Sequence, residues 1–167
     1  MKSCVCNTKL GWIGLGFTEK GLHTATLPQA SAQAAEEELR RSGDSEPAAA
    51  ADAGDWPHQL RRYALREVES FSGKLDLDQG TAFQRQVWRT LLDIPRGETR
   101  SYKWVAERIG RPRAARAVGQ AVGANPIAIV VPCHRVVASD GSLCGFGGGL
   151  ALKETLLRIE GVSDHRR

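Results

Sequence analysis

Short apolar and β-branched runs at the N-terminal end of the chain predict a small sheet. Residues 3–28 contain several such runs, and glycines interrupt them at short intervals. Thr18–Gly21 has the composition of a hairpin turn. Short strands separated by turn residues are typical of consecutive antiparallel strands, so the pattern predicts a compact N-terminal sheet.

Helical periodicity follows this sheet. Residues 31–42 are rich in Ala and Glu and predict a helix, and residues 57–72 carry apolar residues at helical spacing. Residues 42–55, SGDSEPAAAADAGD, have low complexity and predict a surface loop. Residues 72–80 predict a connecting segment, in which Lys74–Leu77 could form a short strand.

The second half of the chain is helical, and its helix ends are well marked. Thr81 and Gln84 form a capping-box pattern, and the helix that they open should end before Gly97. Ser101 can cap a second helix over residues 102–109. Further along, Leu150–Glu160 has apolar residues spaced for burial and predicts the last helix.

Residues 113–125, RAARAVGQAVGAN, predict a helix that forms a helix-turn-helix with the preceding one. Positions 115, 118 and 122 share a face that can pack inward. The opposite face carries Arg113, Arg116, Ala117, Gln120 and Ala124. That face is cationic but small in cross-section. It permits close approach to a narrow nucleic-acid groove, whereas most major-groove readers project long side chains. The alternative interpretation is that these small residues allow the helix to pack tightly against a neighbouring helix.

The run IAIVVPCHRVV, residues 127–137, places a thiol and an imidazole after an apolar stretch. It could be a core strand, or it could hold a reactive cysteine. Cys133 becomes a strong nucleophile only when its proton is removed, and His134 is the nearest base. Neighbouring residues of an extended chain point in opposite directions, so their cooperation requires a turn or a bridging water. Three acidic residues could orient the histidine: Glu160, Glu154 and Asp140.

Composition is that of an ordinary soluble globular protein, with 41% hydrophobic and 25% charged residues among 167. No apolar run is long enough for a signal peptide or a membrane span, so we expect a cytoplasmic protein, or a nuclear one in a eukaryotic host. The net charge is uneven, at −3 for residues 1–78 and +7 for residues 79–167. A basic half favours contact with a polyanion, although a solvated surface would look the same.

The four cysteines do not predict a metal site. The spacing of Cys4 and Cys6 does not fit a zinc knuckle, and no second pair follows. His23 and His58 are isolated. In a reducing compartment the thiols stay free. We therefore expect neither a metal nor a disulfide framework.

Four stretches together closely resemble the O6-alkylguanine-DNA alkyltransferase family: IPRGETRSYKWVA, RAARAVGQAVGANP, VVPCHRVV and GFGGGLALKETLLRIEG. The resemblance covers about residues 80–162, and the N-terminal half matches weakly. It implies an α/β chain with two domains. Residues 1–78 would form a small ribonuclease-H-like sheet domain, and residues 79–167 a helical domain with a winged-helix-like helix-turn-helix.

The resemblance also implies catalytic roles. Cys133 would accept the alkyl group, His134 would act through a water as its base, and Glu160 would orient the histidine. Asn125 would lie in the turn that links the helix-turn-helix to the active site. Tyr102 would help to rotate the nucleotide and to protonate the leaving guanine.

Further residues would contact DNA or line the base pocket. Arg116 would enter the duplex in place of the flipped nucleotide, and the DNA contacts would be made through the minor groove. The DNA-binding set is Arg113, Ala114, Arg116, Ala117, Gln120 and Tyr102; the pocket set is Val136, Phe146, Gly147, Gly148 and Gly149. Two residues depart from the family pattern: Cys144 stands where many relatives have glycine, and Gly147 replaces a frequent serine.

The implied activity is stoichiometric DNA repair. A monomer would flip O6-alkylguanine, and also O4-alkylthymine, out of double-stranded DNA and transfer the alkyl group irreversibly to Cys133, without a cofactor. Three other readings remain open: a non-catalytic lesion-binding protein of the alkyltransferase-like type, a thiol hydrolase, and a helix-turn-helix regulator. The presence of Cys133 argues against the first.

Overall fold

The structure is a computed structural model that describes residues 1–162, and these residues form two compact units. The first unit contains Met1–Leu77 and Pro126–Val130; the second contains Asp78–Asn125 and the chain from Val131 onward. The fold is mixed α/β, as predicted. The predicted domains were two uninterrupted ranges, residues 1–78 and 79–167. The observed division differs because residues 126–130 belong with the first unit.

A four-stranded sheet organises the first unit. Its strands are β1 (Lys2–Thr8), β2 (Gly11–Thr18), β3 (Gly21–Ala25) and β4 (Glu46–Pro47), in the order β3-β2-β1-β4. The pairs β1–β2 and β2–β3 are antiparallel, and β4 pairs with β1 in parallel. The predicted hairpin turn is confirmed, since it joins β2 to β3, and Gly21 supplies the positive φ of 136° that the turn needs.

Three helices accompany this sheet: α1 (Ala32–Arg40), α2 (Ala50–Ala53) and α3 (Trp56–Ala64). The loop predicted over residues 42–55 is therefore wrong in part, because it contains β4 and α2. The helix predicted over residues 57–72 ends early. Arg66 adopts a left-handed φ of 63°, and the Glu67 N–H donates to the Arg62 carbonyl at 2.9 Å, which closes the last turn.

The apolar run that precedes Cys133 is not a regular strand. The Ala25 N–H donates to the Pro126 carbonyl at 2.9 Å, and the Ala128 N–H donates to the Ala25 carbonyl at 3.0 Å. Pairing stops there because the buried Ile129 takes a φ of 70°, which is rare for a β-branched residue. The simple core-strand interpretation of this run is therefore wrong.

In the described part of the second unit there are four α-helices: α4 (Ala82–Leu91), α5 (Tyr102–Arg108), α6 (Ala115–Gly123) and α7 (Leu150–Ile159). A parallel pair of two-residue strands, β5 (Arg100–Ser101) and β6 (Val136–Val137), was not predicted. The capping box is confirmed, because the Gln84 N–H donates to the Thr81 hydroxyl at 3.1 Å and the Thr81 N–H donates to the Gln84 side chain at 2.9 Å.

Buried contacts hold these helices together. The Trp88 indole N–H donates to the Ala121 carbonyl at 2.8 Å, which ties α4 to the end of α6. Val118 and Val122 of α6 are buried, as the helical pattern predicted. Among residues 1–162, no helix combines the length and apolar character that crossing a membrane requires.

Candidate functional site

Cys133 begins a single 3-10 turn, Cys133–Arg135, that follows Pro132. Pro132 has φ −81° and ψ 64°, and the Cys133 N–H donates to the Val131 carbonyl at 2.8 Å, so the backbone folds back just before the cysteine. Cys133 and His134 are thus in a turn, and their side chains need not point in opposite directions as neighbours on an extended chain do. Both side chains are buried, with Cys133 7% exposed and His134 fully enclosed.

Glu160 is the acidic partner of His134. His134 Nε2 lies 2.8 Å from Glu160 Oε2, and both side chains are buried. The other two candidates are engaged elsewhere: Asp140 accepts from Ser142 at 2.6 Å, and Glu154 pairs with Arg158 at 3.2 Å. Helix α7 positions Glu160 as its C-terminal cap.

Arg135 holds the same carboxylate from the other side. Its Nε donates to Glu160 Oε1 at 2.7 Å, and its Nη2 donates to Oε2 at 3.0 Å. Burial alone would raise the pKa of Glu160, but the hydrogen bonds and charges of His134 and Arg135 outweigh it and hold the pKa well below its usual range. Glu160 is therefore a carboxylate at neutral pH.

This geometry fixes the tautomer of His134. An ionised carboxylate only accepts hydrogen bonds, so Nε2 must carry the proton that it shares with Glu160. The other ring nitrogen, Nδ1, is buried and has no hydrogen-bond partner within residues 1–162. In the neutral imidazole its lone pair is free to accept a proton.

The environment of Cys133 favours a thiol in the resting site. Burial raises the pKa of Cys133, while a hydrogen bond from Asn125 and the charge of Lys153 oppose that effect without cancelling it. A thiolate in the resting site is not what this environment favours, because desolvation dominates. Asn125 also donates from Nδ2 to the Val131 carbonyl at 2.8 Å, and so braces the turn that leads to the cysteine.

Lys153 is a site residue that the sequence reasoning missed. Its side chain is completely buried in α7, where Nζ donates to the Cys144 carbonyl at 3.1 Å and lies 6.0 Å from the centroid of the Phe146 ring. Burial lowers the pKa of this lysine, while Cys144 and Cys133 act to raise it. A helical pattern could have found it, because Lys153 shares the spacing of Leu156, Leu157 and Glu160, all buried.

Tyr102 and the glycine-rich loop meet near this lysine. The Tyr102 hydroxyl donates to the Cys144 carbonyl at 3.3 Å. Burial raises the pKa of Tyr102, and the nearby Cys144 and Cys133 add to that effect, so the phenol remains a proton donor at neutral pH. Phe146 is half-buried and Val136 is buried in β6, whereas Gly147, Gly148 and Gly149 are exposed.

The outward face of α6 is open to solvent. Arg116, Ala117 and Gln120 are exposed on this face. Arg113 before the helix and Ala124 at its C-terminal cap are exposed as well, and Ala114 at its N-terminal cap is half-buried. The helix packs closely on α5, because a Cβ added to Gly119 would lie 3.8 Å from the Tyr102 ring. The helix-turn-helix therefore presents a small, cationic face next to Tyr102, whose hydroxyl reaches the Cys144 loop.

No group of His, Cys, Asp or Glu side chains in the described part of the chain is arranged to hold a metal ion. His23 is instead bonded to Asp76, with 3.1 Å between Nδ1 and Oδ2.

Comparison with known proteins gives a family match over the second half of the chain. The family model for the DNA-binding domain of 6-O-methylguanine DNA methyltransferase matches residues 82–162. The methylated-DNA–protein-cysteine methyltransferase of Mycolicibacterium paratuberculosis is 60% identical over 102 residues. That alignment spans 61% of this chain and 61% of the relative, so this chain matches about three fifths of the relative's length.

Solved structures match over nearly the whole chain. The crystal structure of Mycobacterium tuberculosis OGT in complex with DNA has a TM-score of 0.80 and 40% identity, and it covers 96% of this chain and 92% of that one. The crystal structure of the O6-methylguanine methyltransferase of the same organism gives a TM-score of 0.78 at 41% identity, with 95% and 92% coverage. On this identity and coverage, the chain belongs to the 6-O-methylguanine DNA methyltransferase family.

Proposed function

We propose that the protein repairs DNA by transferring an alkyl group from O6-alkylguanine to Cys133. The observation that carries this proposal is the burial of Cys133, His134 and Glu160 together, with Glu160 bonded to Nε2 of the imidazole and with Nδ1 left without a hydrogen-bond partner among residues 1–162. Membership of the family supports the same chemistry. O4-alkylthymine is a second substrate of the proposal, because it presents the same alkyl–oxygen bond.

The reaction needs the thiol proton to leave as sulfur attacks. Because burial raises the pKa of Cys133, the proton passes to His134 during the reaction, directly or through a bridging water. Sulfur forms a bond to the alkyl carbon, and the carbon–O6 bond breaks with its electrons passing to guanine. The phenol of Tyr102, which stays protonated, supplies a proton to the leaving base.

The product explains why the protein would act once. A thioether sulfur is a poor leaving group, so the alkyl group stays on Cys133. One molecule would therefore repair one lesion without a cofactor. The reaction is a transfer to the protein itself.

The helix-turn-helix is the proposed DNA-binding surface. The lesion lies within the base stack, so the nucleotide must be extruded before the buried sulfur can reach it. The exposed face of α6 has small side chains at Ala117 and Ala124, which suits close approach to the minor groove, and Arg116 is exposed where it can enter the duplex. Arg113 and Gln120 would contact the sugar-phosphate backbone of the DNA on either side of the inserted Arg116. One copy of the protein can make all of these DNA contacts, so a monomer is sufficient.

Two finer features of the fold are part of the proposal. The sheet order β3-β2-β1-β4, with β4 parallel to β1, supports a ribonuclease-H-like first unit. The short β5–β6 pair beside α5 supports a winged-helix-like second unit.

Intact mass spectrometry tests the proposal. The protein is mixed with duplex DNA that contains O6-methylguanine, with Cys133→Ser as the matched control. The expected result is a gain of one CH2 unit, located on Cys133, that stops at one equivalent. Tight binding without a mass gain would support a lesion-binding protein, and repeated turnover on an ester would support a thiol hydrolase. A footprint with strong sequence preference on undamaged DNA would support a regulator.

A further inference from the structure

Arg108, the exposed last residue of α5, is held by an aromatic ring. Its guanidinium carbon lies 5.6 Å from the centroid of the Trp104 ring, and Trp104 is half-buried one turn earlier on the same helix. A cation–π contact fixes a guanidinium without neutralising it, because the ring carries no net charge. No ion pair within residues 1–162 involves Arg108. Its positive charge is therefore fixed in place and uncompensated there.

Arg111 lies in the turn between α5 and α6, and both its backbone and its side chain are held. The Arg111 N–H donates to the Ala106 carbonyl at 2.9 Å, and Gly110 before it has a φ of 77°, so α5 ends in a Schellman motif. The guanidinium carbon lies 5.7 Å from the centroid of the Phe83 ring on α4. Arg111 is exposed and, in the described part of the chain, makes no ion pair.

The other two cations on this side of α5 already have acidic partners. Arg100 lies 5.4 Å from the centroid of the same Trp104 ring and pairs with Glu98 at 3.1 Å. Lys103 lies 3.9 Å from the carboxylate of Glu107. Uncompensated charge is thus concentrated at the end of the helix and in the turn.

A cationic surface with fixed guanidiniums suits a polyanion. Residues 100–116 carry six basic side chains and one acidic side chain. We propose that Arg108 and Arg111 form a second phosphate-binding surface, which holds the sugar-phosphate backbone of duplex DNA outside the exposed face of α6. Trp104 and Phe83 act as positioning residues for the two guanidiniums. The inference rests on the DNA-binding part of the proposed function, and it adds two arginines to the DNA-binding set that the resemblance implied.

The placement of these arginines favours contact with phosphate over reading of bases. They lie at the end of α5 and in the turn, whereas α6 is the helix that would enter the groove. A cation–π contact leaves the N–H groups of a guanidinium able to donate to phosphate oxygens. Phosphate contacts fix the position of a protein on the duplex and carry no sequence information. The surface should therefore act on undamaged DNA as well as at a lesion.

The salt dependence of DNA binding tests this inference. The affinity for an undamaged DNA duplex is measured by fluorescence titration at several salt concentrations, for wild type, Arg108→Gln and Arg111→Gln. Each lost phosphate contact should reduce the slope of log affinity against log salt by about 0.9, and the affinity by about 5-fold at about 0.15 M salt. A wild-type slope in both variants would overturn the inference.

Arg158→Gln is the matched control. It removes one exposed arginine of the same unit, but the charge of Arg158 is already paired with Glu154 at 3.2 Å. We expect it to keep the wild-type slope. An equal loss of slope in this control would also overturn the inference, because net charge alone would then explain the effect.

A double-mutant cycle tests the positioning role of Trp104. Trp104→Leu should weaken DNA binding when Arg108 is present and should have little further effect in the Arg108→Gln background. A merely structural role of the ring would give the same loss of affinity in both backgrounds, and that result would overturn the positioning role.

The use of undamaged DNA separates this inference from the proposed alkyl transfer. If wild type gains no mass on Cys133 but the slope falls in Arg108→Gln and Arg111→Gln, the proposed repair fails and the phosphate-binding surface stands. If wild type repairs the lesion and both variants keep the slope, the proposed repair stands and the surface is overturned.

Discussion

Replacing the buried Lys153 with methionine should separate stability from reactivity. Lys153 is fully enclosed, and its ammonium has one neutral oxygen acceptor in the Cys144 carbonyl at 3.1 Å. Methionine keeps the approximate length and the apolar stem of the side chain and removes the charge together with the hydrogen bond to the Cys144 carbonyl. Replacing a buried charge by an apolar group of similar volume is often neutral or stabilising. We therefore expect the free energy of unfolding to stay level or to rise.

The reactivity of Cys133 should fall in the same variant. The charge of Lys153 lowers the pKa of Cys133 against the effect of burial, and one neighbouring opposite charge usually moves a pKa by about 1–3 units. The ammonium is itself partly destabilised, because burial lowers the pKa of Lys153. The expected loss is therefore on the order of 10- to 100-fold in the rate of alkyl transfer at pH 7.

The assay is single-turnover transfer to Cys133 from duplex DNA and, separately, from the free base O6-benzylguanine, with urea unfolding in parallel. Lys9→Met, in the exposed turn between β1 and β2, makes the same change of charge in the first unit and should leave both rates unchanged. A wild-type rate in Lys153→Met would refute the electrostatic reasoning. A rate that falls only in proportion to lost folded protein would refute it as well.

Four other outcomes are expected. Glu160→Gln should slow alkyl transfer by about 10²–10⁴-fold, because the amide can donate to Nε2 and force the unproductive tautomer; an unchanged rate would contradict the assignment. Since the pKa of Glu160 is lowered on folding, its stabilisation is present above the ordinary value of 4.5 and is lost as pH falls, so urea unfolding between pH 6 and pH 3 should show a steeper loss in wild type than in Glu160→Gln. Arg116→Ala should weaken repair of duplex DNA far more than reaction with the free base, and equal losses would remove the proposed insertion into the duplex. The affinity of the unreacted protein for DNA should fall with rising salt in a fluorescence titration, and a flat response would argue against phosphate contacts.

Local patterns along the chain predicted most of the helices. The capping box at Thr81 and Gln84, the Ser101 cap and the buried spacing of α6 and α7 are properties of neighbouring residues, so they can be read from the chain alone. The helix over residues 57–72 was overestimated because its apolar spacing continues past Arg66, where a left-handed residue ends the helix. Apolar spacing reports burial, and Phe71 is indeed packed on Tyr63 with ring centroids 5.3 Å apart, but from outside the helix.

The sequence by itself also determined the chemistry: a cysteine and a histidine after an apolar run, a basic second half, and a slim cationic helix. Tertiary structure decided which groups act together. Of three acidic candidates, only Glu160 reaches His134, and Arg135 and Lys153 acquire their roles because folding brings α7 to the turn at Cys133. The effect of a charge depends on its distance from the reacting atom and on its burial, and neither quantity is set by position along the chain.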